Sequence, residues 1–193
     1  SGQPNARVGG LKYADLDHNG TIDAKDQTWI FNPVPDFNWG LNVQLGYKNF
    51  DLSMFFQGVC GVDVYNNQKF QTDFWSITDA GSNKGNRLLG AWTEDNTSSK
   101  IPALTTNNTG DEGRASTYFV EHGNWMKLRT LQLGYNFSDS LLKKLHMTSA
   151  RVYVSGQNLF TWKSSSFTIS DPENPNWAYP HSSSVSFGLQ LSF

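Results

Sequence analysis

The sequence predicts an all-β fold of long antiparallel strands, and three observations carry that prediction. Apolar residues recur at every second position through several separate stretches, the period that sends alternate side chains to opposite faces of a strand. The positions between them hold Ser, Gly, Asn and Gln far more than Lys or Glu. The stretches run to about ten residues or more, longer than the usual strand of about 5–6. A soluble sandwich turns such an apolar parity into a core. An outer-membrane barrel turns it towards lipid and sets the polar parity against a wet or plugged lumen. Strand length and the makeup of the polar parity favour the barrel, and the sandwich stays open beside it.

The elements follow in order. Residues 1–36 are polar and turn-rich, with the cluster Asp15-Leu16-Asp17-His18-Asn19-Gly20 and then Pro33 and Pro35. From Phe37 the period becomes two. Trp39, Leu41, Val43, Leu45 and Tyr47 share one parity, and Phe50, Leu52, Met54 and Phe56 share another. Only Lys48-Asn49 separates the two runs, a spacing that fits a tight hairpin. Residues 61–117 hold scattered aromatics among Asn, Ser, Thr and Gly without a sustained period, with a short helix expected at Asn86–Trp92. A connection of this length is usually functional or mobile. The strand pattern returns at Trp125, with Leu131, Leu133, Tyr135 and Phe137 in alternation. Ser138 then caps one or two helical turns through Leu145. Arg151–Phe160 is of strand length, and residues 161–182 form a second polar connection. In the final run Val185, Phe187, Leu189, Leu191 and Phe193 alternate with Ser184, Ser186, Gly188, Gln190 and Ser192. The division expected is a polar region at 1–36 followed by a strand-rich region at 37–193.

Composition narrows the function. The chain carries 15 Lys+Arg against 17 Asp+Glu, a formal charge of −2, which argues against a nucleic-acid surface built on clustered cations. Charged residues make up 17% of the 193, below the roughly 25% of ordinary soluble domains. A single cysteine, Cys60, excludes an internal disulfide framework. The sequence holds no run of about 18 apolar residues that would make a spanning helix, but a spanning strand needs only about 9–11.

The order of several motifs resembles the carboxy-terminal part of the SusC/RagA-type TonB-linked outer-membrane proteins. Tyr13-Ala14-Asp15-Leu16-Asp17-His18-Asn19-Gly20-Thr21-Ile22-Asp23 precedes Pro35-Asp36-Phe37-Asn38-Trp39-Gly40, then Phe50-Asp51-Leu52-Ser53 and Phe56-Gln57-Gly58. Leu128-Arg129-Thr130-Leu131-Gln132-Leu133-Gly134-Tyr135, Val154-Ser155-Gly156-Gln157-Asn158-Leu159-Phe160, Asp171-Pro172-Glu173 and Ser186-Phe187-Gly188-Leu189 follow. The resemblance implies a portion of an antiparallel transmembrane β-barrel, its last five or six strands, with long polar loops. It also implies an importer of oligosaccharides or peptides in the outer membrane, working with a SusD-like surface lipoprotein and the TonB machinery and lying in outer-membrane lipid. Such a barrel takes about 22 strands, so the resemblance makes this chain the last quarter or so of a longer protein. In the family the terminal strand is an assembly signal, which Phe187, Leu189, Leu191 and Phe193 match.

Three kinds of site are expected. Asp15, Asp17, Asn19, Thr21, Asp23 and Asp26 follow the order of a calcium loop, with oxygen donors at positions 1, 3 and 5, Gly20 at 6 and Asp26 at 12. Asp at 12 reaches less far than the usual Glu, and the same residues also make a polar turn closed by Asx hydrogen bonds. Trp75, Trp92, Trp162 and Trp177, placed in connections, are candidates for stacking on a sugar, whereas Trp39 and Trp125, at strand starts, fit an interfacial girdle. Asp171 with Glu173, or Glu94 with Asp95, has the composition of a glycosidase pair, but neighbouring loop carboxylates are ordinarily solvated, and no enzyme activity is expected. His18, His122, His146 and His181 lack metal-type spacing, and no nucleic acid is expected as a partner. A soluble, calcium-stabilised β-sandwich that binds carbohydrate is the alternative function.

Overall fold

The computed structural model describes residues 2–69, 72–73, 83–105, 111–174 and 178–193. Among the described residues seven strands follow one another: β1 (Phe37–Tyr47), β2 (Phe50–Cys60), β3 (Asp63–Tyr65), β4 (Val120–His122), β5 (Trp125–Asn136), β6 (Ser149–Lys163) and β7 (Ser184–Ser192). The five long ones form a single sheet in the order β1-β2-β5-β6-β7, while β3 and β4 make a separate pair. All four pairings in the large sheet are antiparallel. Its strands have 11, 11, 12, 15 and 9 residues. One helix, α1 (Asp139–Lys144), joins β5 to β6, as the Ser138 cap position predicts. Asn86–Gly90 is helical as expected, but as a 3-10 turn.

The chain divides into two compact units, residues 1–31 with 65–120 and residues 32–64 with 121–193. The polar opening residues therefore group with the long connection, and the second unit holds the sheet. β6 continues to Lys163, so the second connection begins at residue 164. The connections β1–β2 and β5–β6 are short, whereas β2–β5 and β6–β7 are long and leave from the opposite end of the sheet. In the first hairpin Lys48 takes the left-handed region at φ 54°, which closes the two-residue turn.

Register settles what each face carries. Leu41 lies opposite Phe56, Val43 opposite Met54 and Leu45 opposite Leu52. Met54 continues to Leu131 and Leu52 to Leu133, then Leu133 to Val154 and Val154 to Phe187. Residues opposite one another in antiparallel strands share a face, so one face is apolar across all five strands. The other carries Asn42, Gln44, Asp51, Ser53, Lys127, Gln132, Arg151, Ser155, Ser186 and Gln190.

β5 holds an irregularity that the alternation alone does not reveal. Phe55 pairs with Thr130 and Phe56 with Leu128, leaving Arg129 as an extra residue. Such a bulge moves the strand's parity by one. Leu128 and Leu131 thereby share the apolar face, and Trp125 and Lys127 turn to the polar one. Trp125 is consequently buried at 9% exposure beneath two cations, with Lys127 Nζ 5.6 Å and the Arg129 guanidinium carbon 5.8 Å from its ring centroid. This corrects the girdle position expected for Trp125. Trp39 stays on the apolar face and covers Gly58, where an added Cβ would come within 2.5 Å of the indole.

The apolar face is open. Leu41, Leu45, Leu133, Phe160, Val185, Phe187, Leu189 and Leu191 are exposed, Phe187 at 85%. Among the described residues the strands form the five-stranded sheet and the β3–β4 pair alone, so no second large sheet turns this face into a sandwich core. On the polar side Lys127 is 1% exposed, and its partner Asp171 4%.

Candidate functional site

The polar face of β5 carries the most elaborate group of side chains in the second unit. Lys127 Nζ donates to Asp171 Oδ1 at 2.7 Å and to Glu173 Oε2 at 2.6 Å. Arg129, at the bulge, donates to Glu173, to Gln57 Oε1 at 2.8 Å and to Asn158 Oδ1 at 3.1 Å. His181 closes the group, its backbone N–H donating to Asp171 Oδ2 at 2.8 Å and its Nδ1 lying 2.9 Å from the same oxygen. Two cations thus meet two carboxylates from the β6–β7 connection.

Burial alone would raise the Asp171 pKa, but hydrogen bonds from Lys127 and from the N–H groups of His181 and Glu173 outweigh it and hold the carboxyl well below its usual range. Burial likewise raises the Glu173 pKa, but the hydrogen bonds and charges of Lys127 and Arg129 outweigh it and lower the pKa below its ordinary value. This corrects the expectation that Asp171 and Glu173 are solvated. Their oxygens are committed to ion pairs, whereas a glycosidase acid needs one carboxyl held protonated.

A second ion pair sits further along the same face, where Arg151 meets Asp51 through Nε–Oδ1 at 3.1 Å and Nη2–Oδ2 at 2.5 Å. It lies over Gly134, where a Cβ would come within 2.5 Å of both partners. Gly134 thus clears the space in which charges from β2 and β6 meet across β5. On this face Lys127, Arg129 and Arg151 each meet a carboxylate.

In the first unit, the structure brings together part of the calcium-loop pattern. One carboxylate oxygen from each of Asp15, Asp17 and Asp26 lies within 4.8 Å of the others. The loop turns at His18 (φ 59°) and Gly20 (φ 83°), the glycine position that the pattern requires. Asn19 and Asp23 instead accept from the loop's own backbone, from Thr21 N–H at 2.7 Å and Lys25 N–H at 2.7 Å. Asp26 accepts from Asp23 and Leu16 N–H groups, which lower its pKa. Gly2 pairs with Thr21 as an isolated bridge.

The four tryptophans part company. Trp75 and Trp177 lie outside the described residues. Trp92 packs against Gly9, where an added Cβ would lie 2.5 Å from its ring. Trp162 belongs to β6 rather than to a connection, on the apolar face beside Phe160 with centroids 5.8 Å apart. Phe187, Leu189 and Leu191 stand on the apolar face of β7, and Phe193 follows it at 87% exposure. Lys127, Arg129 and His181 were missed as site residues. Their one sequence signal was two cations flanking Leu128 in a strand otherwise short of charge.

No protein-family model matches the chain. It is similar to TonB-dependent receptor P3 of Formosa agariphila, 33% identical over 204 residues, which covers 96% of this chain and 19% of the relative. It is also similar to TonB-dependent receptor SusC of Bacteroides thetaiotaomicron, 29% identical over 189 residues, covering 94% of this chain and 17% of the relative. Among solved structures, that of the RagAB peptide transporter superposes with a TM-score of 0.72 at 28% identity, covering 90% of this chain and 19% of that one. The chain spans about a fifth of the length of the curated relatives it matches. These relatives are named as receptors and transporters, in keeping with the expectation of no enzyme.

The ion cluster generates a first prediction for the full-length protein in detergent. Lys127→Met leaves Asp171 buried without its counter-charge and lowers stability to urea by about 3–5 kcal/mol. The double variant Lys127→Met/Asp171→Asn, which leaves Arg129 paired with Glu173, recovers most of that loss. A neutral single variant would mean that the carboxylates are solvated.

Proposed function

We propose a function from the premise that this chain is related, over about a fifth of their length, to TonB-dependent receptors of the SusC/RagA type: it is the carboxy-terminal wall segment of an outer-membrane importer. The observation that carries this reading is the division of the sheet into an apolar face left open to its surroundings, with Phe187 at 85% exposure, and a polar face on which Lys127 is buried in ion pairs. Lipid is the solvent in which an exposed face of Leu, Phe and Val is stable, and a barrel wall is the arrangement that leaves backbone groups paired there.

Strand length agrees. At about 3.3 Å per residue, strands tilted by about 45° cross the hydrocarbon layer with 9–11 residues, and the five strands have 9 to 15. Short connections at one end and long ones at the other match the turns and loops of such barrels. On this reading Trp39 and Trp162 belong to an aromatic belt, and the polar face lines the path of the solute. Phe187, Leu189, Leu191 and Phe193 serve as the assembly signal.

The finer features are part of the same proposal. The imported solute is an oligosaccharide or a peptide, taken up with a SusD-like lipoprotein over the loops and TonB as the energy source. The RagAB relative is named a peptide transporter, which favours peptides as the first class to try. Asp15, Asp17 and Asp26 hold a structural Ca2+, with Asn19, the Thr21 carbonyl and Asp23 completing the shell once their oxygens turn inward.

Two outcomes are expected. In bilayers, Leu41→Arg in the full-length protein costs about 2–4 kcal/mol of unfolding free energy and Asn42→Arg about 1 or less, because only the first puts charge into lipid. Equal costs would overturn the reading. Titration with Ca2+ gives saturable binding and a rise in melting temperature, both abolished by Asp15→Asn with Asp26→Asn. No heat of binding in the parent protein would exclude the metal.

A further inference from the structure

The segment following β6 is held in place in two distinct ways. Its first part is packed: Phe167 is 3% and Ile169 2% exposed, and Thr168 donates to Glu121 from both its backbone N–H and its hydroxyl, at 2.9 and 2.7 Å. Lys163 donates to the Ile169 carbonyl. Beyond Ser170 the attachment changes character. Asp171 and Glu173 are tied to β5 by Lys127 and Arg129, and Asp171 in turn accepts from the N–H groups of Glu173 at 3.0 Å and His181 at 2.8 Å. The backbone of the distal part is thus organised around a carboxylate whose position depends on one ammonium group.

We propose that residues 167–174 form a charge-latched strap, rooted by packing at Phe167 and Ile169, whose distal part lies on the polar face only while Lys127 and Arg129 hold it there. Lys127 is the positioning residue. It reaches both carboxylates at once, and removing it leaves the buried Asp171 without its counter-charge. Resting on the reading of this face as the pore wall, the latched strap narrows the path along β5 and masks two cations from the solute, and the released strap widens it.

The titratable and charged groups facing the latch are Asp171, Glu173 and His181 from the strap side, Lys127 and Arg129 from β5, Lys163 from β6 and Glu121 from β4. Both carboxylates have folded pKa values below their ordinary ones. The contribution of the latch is therefore complete above the ordinary carboxylate range, about pH 4, and is lost only as pH falls through the depressed folded values. The strap stays closed throughout the neutral range. Its opening at neutral pH requires another anion to take the place of Asp171 and Glu173 at Lys127.

Hydrogen exchange of the full-length protein in detergent tests this. In Lys127→Met the amides of Glu173 and His181 exchange about tenfold faster or more, while that of Phe167, bonded to Ser164, and those of β5 keep their rates. Lys127→Arg, which restores the charge, returns Glu173 and His181 towards the parent rates. Unchanged exchange at Glu173 and His181 would overturn the latch, as would equal acceleration through β5 and β6, which would make the cluster a support of the sheet. A separate probe reports on the pore: Ser53→Cys in a Cys60→Ser background, treated in membranes with an impermeant thiol reagent. Labelling supports a wet wall, and failure to label overturns that reading while leaving the exchange result to decide the latch.

Discussion

Everything in the second unit depends on the register of four antiparallel pairings. A strand shifted by one residue would send its whole apolar set to the opposite face, and the separation of Leu, Val and Phe from Ser, Asn and Arg would be lost. The register from β1 to β7 sets apolar residues opposite one another in rows along one face, as in the series Leu45, Leu52, Leu133, Val154 and Phe187. Glycines let the large side chains of neighbouring strands fit this arrangement, Gly58 beneath Trp39 and Gly188 beneath Tyr153. The two faces are thus consequences of one constraint.

Charge follows from the same register. Arg129 stands where β5 has one residue more than β2 needs, and this single insertion turns Lys127 to the polar side. There it recruits Asp171 and Glu173 from the connection after β6. A buried ammonium with two carboxylates is weak support for stability in itself, but it specifies where the connection lies. The sheet therefore directs its surroundings through lipid-compatible side chains on one face and through ion pairs on the other.

The long strands were legible wherever alternation ran without interruption. β1, β2 and β7 stand where the period of two put them, with the Lys48-Asn49 turn between the first pair. β5 was only half legible, because a bulge leaves no mark in a pattern of apolar residues when Leu128 and Leu131 are both apolar. Trp125 was misplaced for that reason. The ion cluster was illegible for another: its partners lie 44 and 46 positions apart, and local composition makes Asp171-Pro172-Glu173 look like any polar loop. In the first unit Asp15, Asp17 and Asp26 come within 4.8 Å of one another. Asp15, Asp17, Asn19 and Asp23 also accept from nearby backbone N–H groups, the Asx bonding that the same residue types allow in a polar turn.

The central claim is that the two faces of this sheet meet different solvents. A nitroxide carried in turn at each residue from Leu41 to Gly46 of the full-length protein in bilayers measures this directly, through collision with oxygen, which concentrates in lipid, and with a water-soluble nickel complex. Leu41, Val43 and Leu45 should favour oxygen, and Asn42, Gln44 and Gly46 the nickel complex, in a period of two. Uniform preference along the strand, or oxygen favoured at Asn42 and Gln44, would contradict the account.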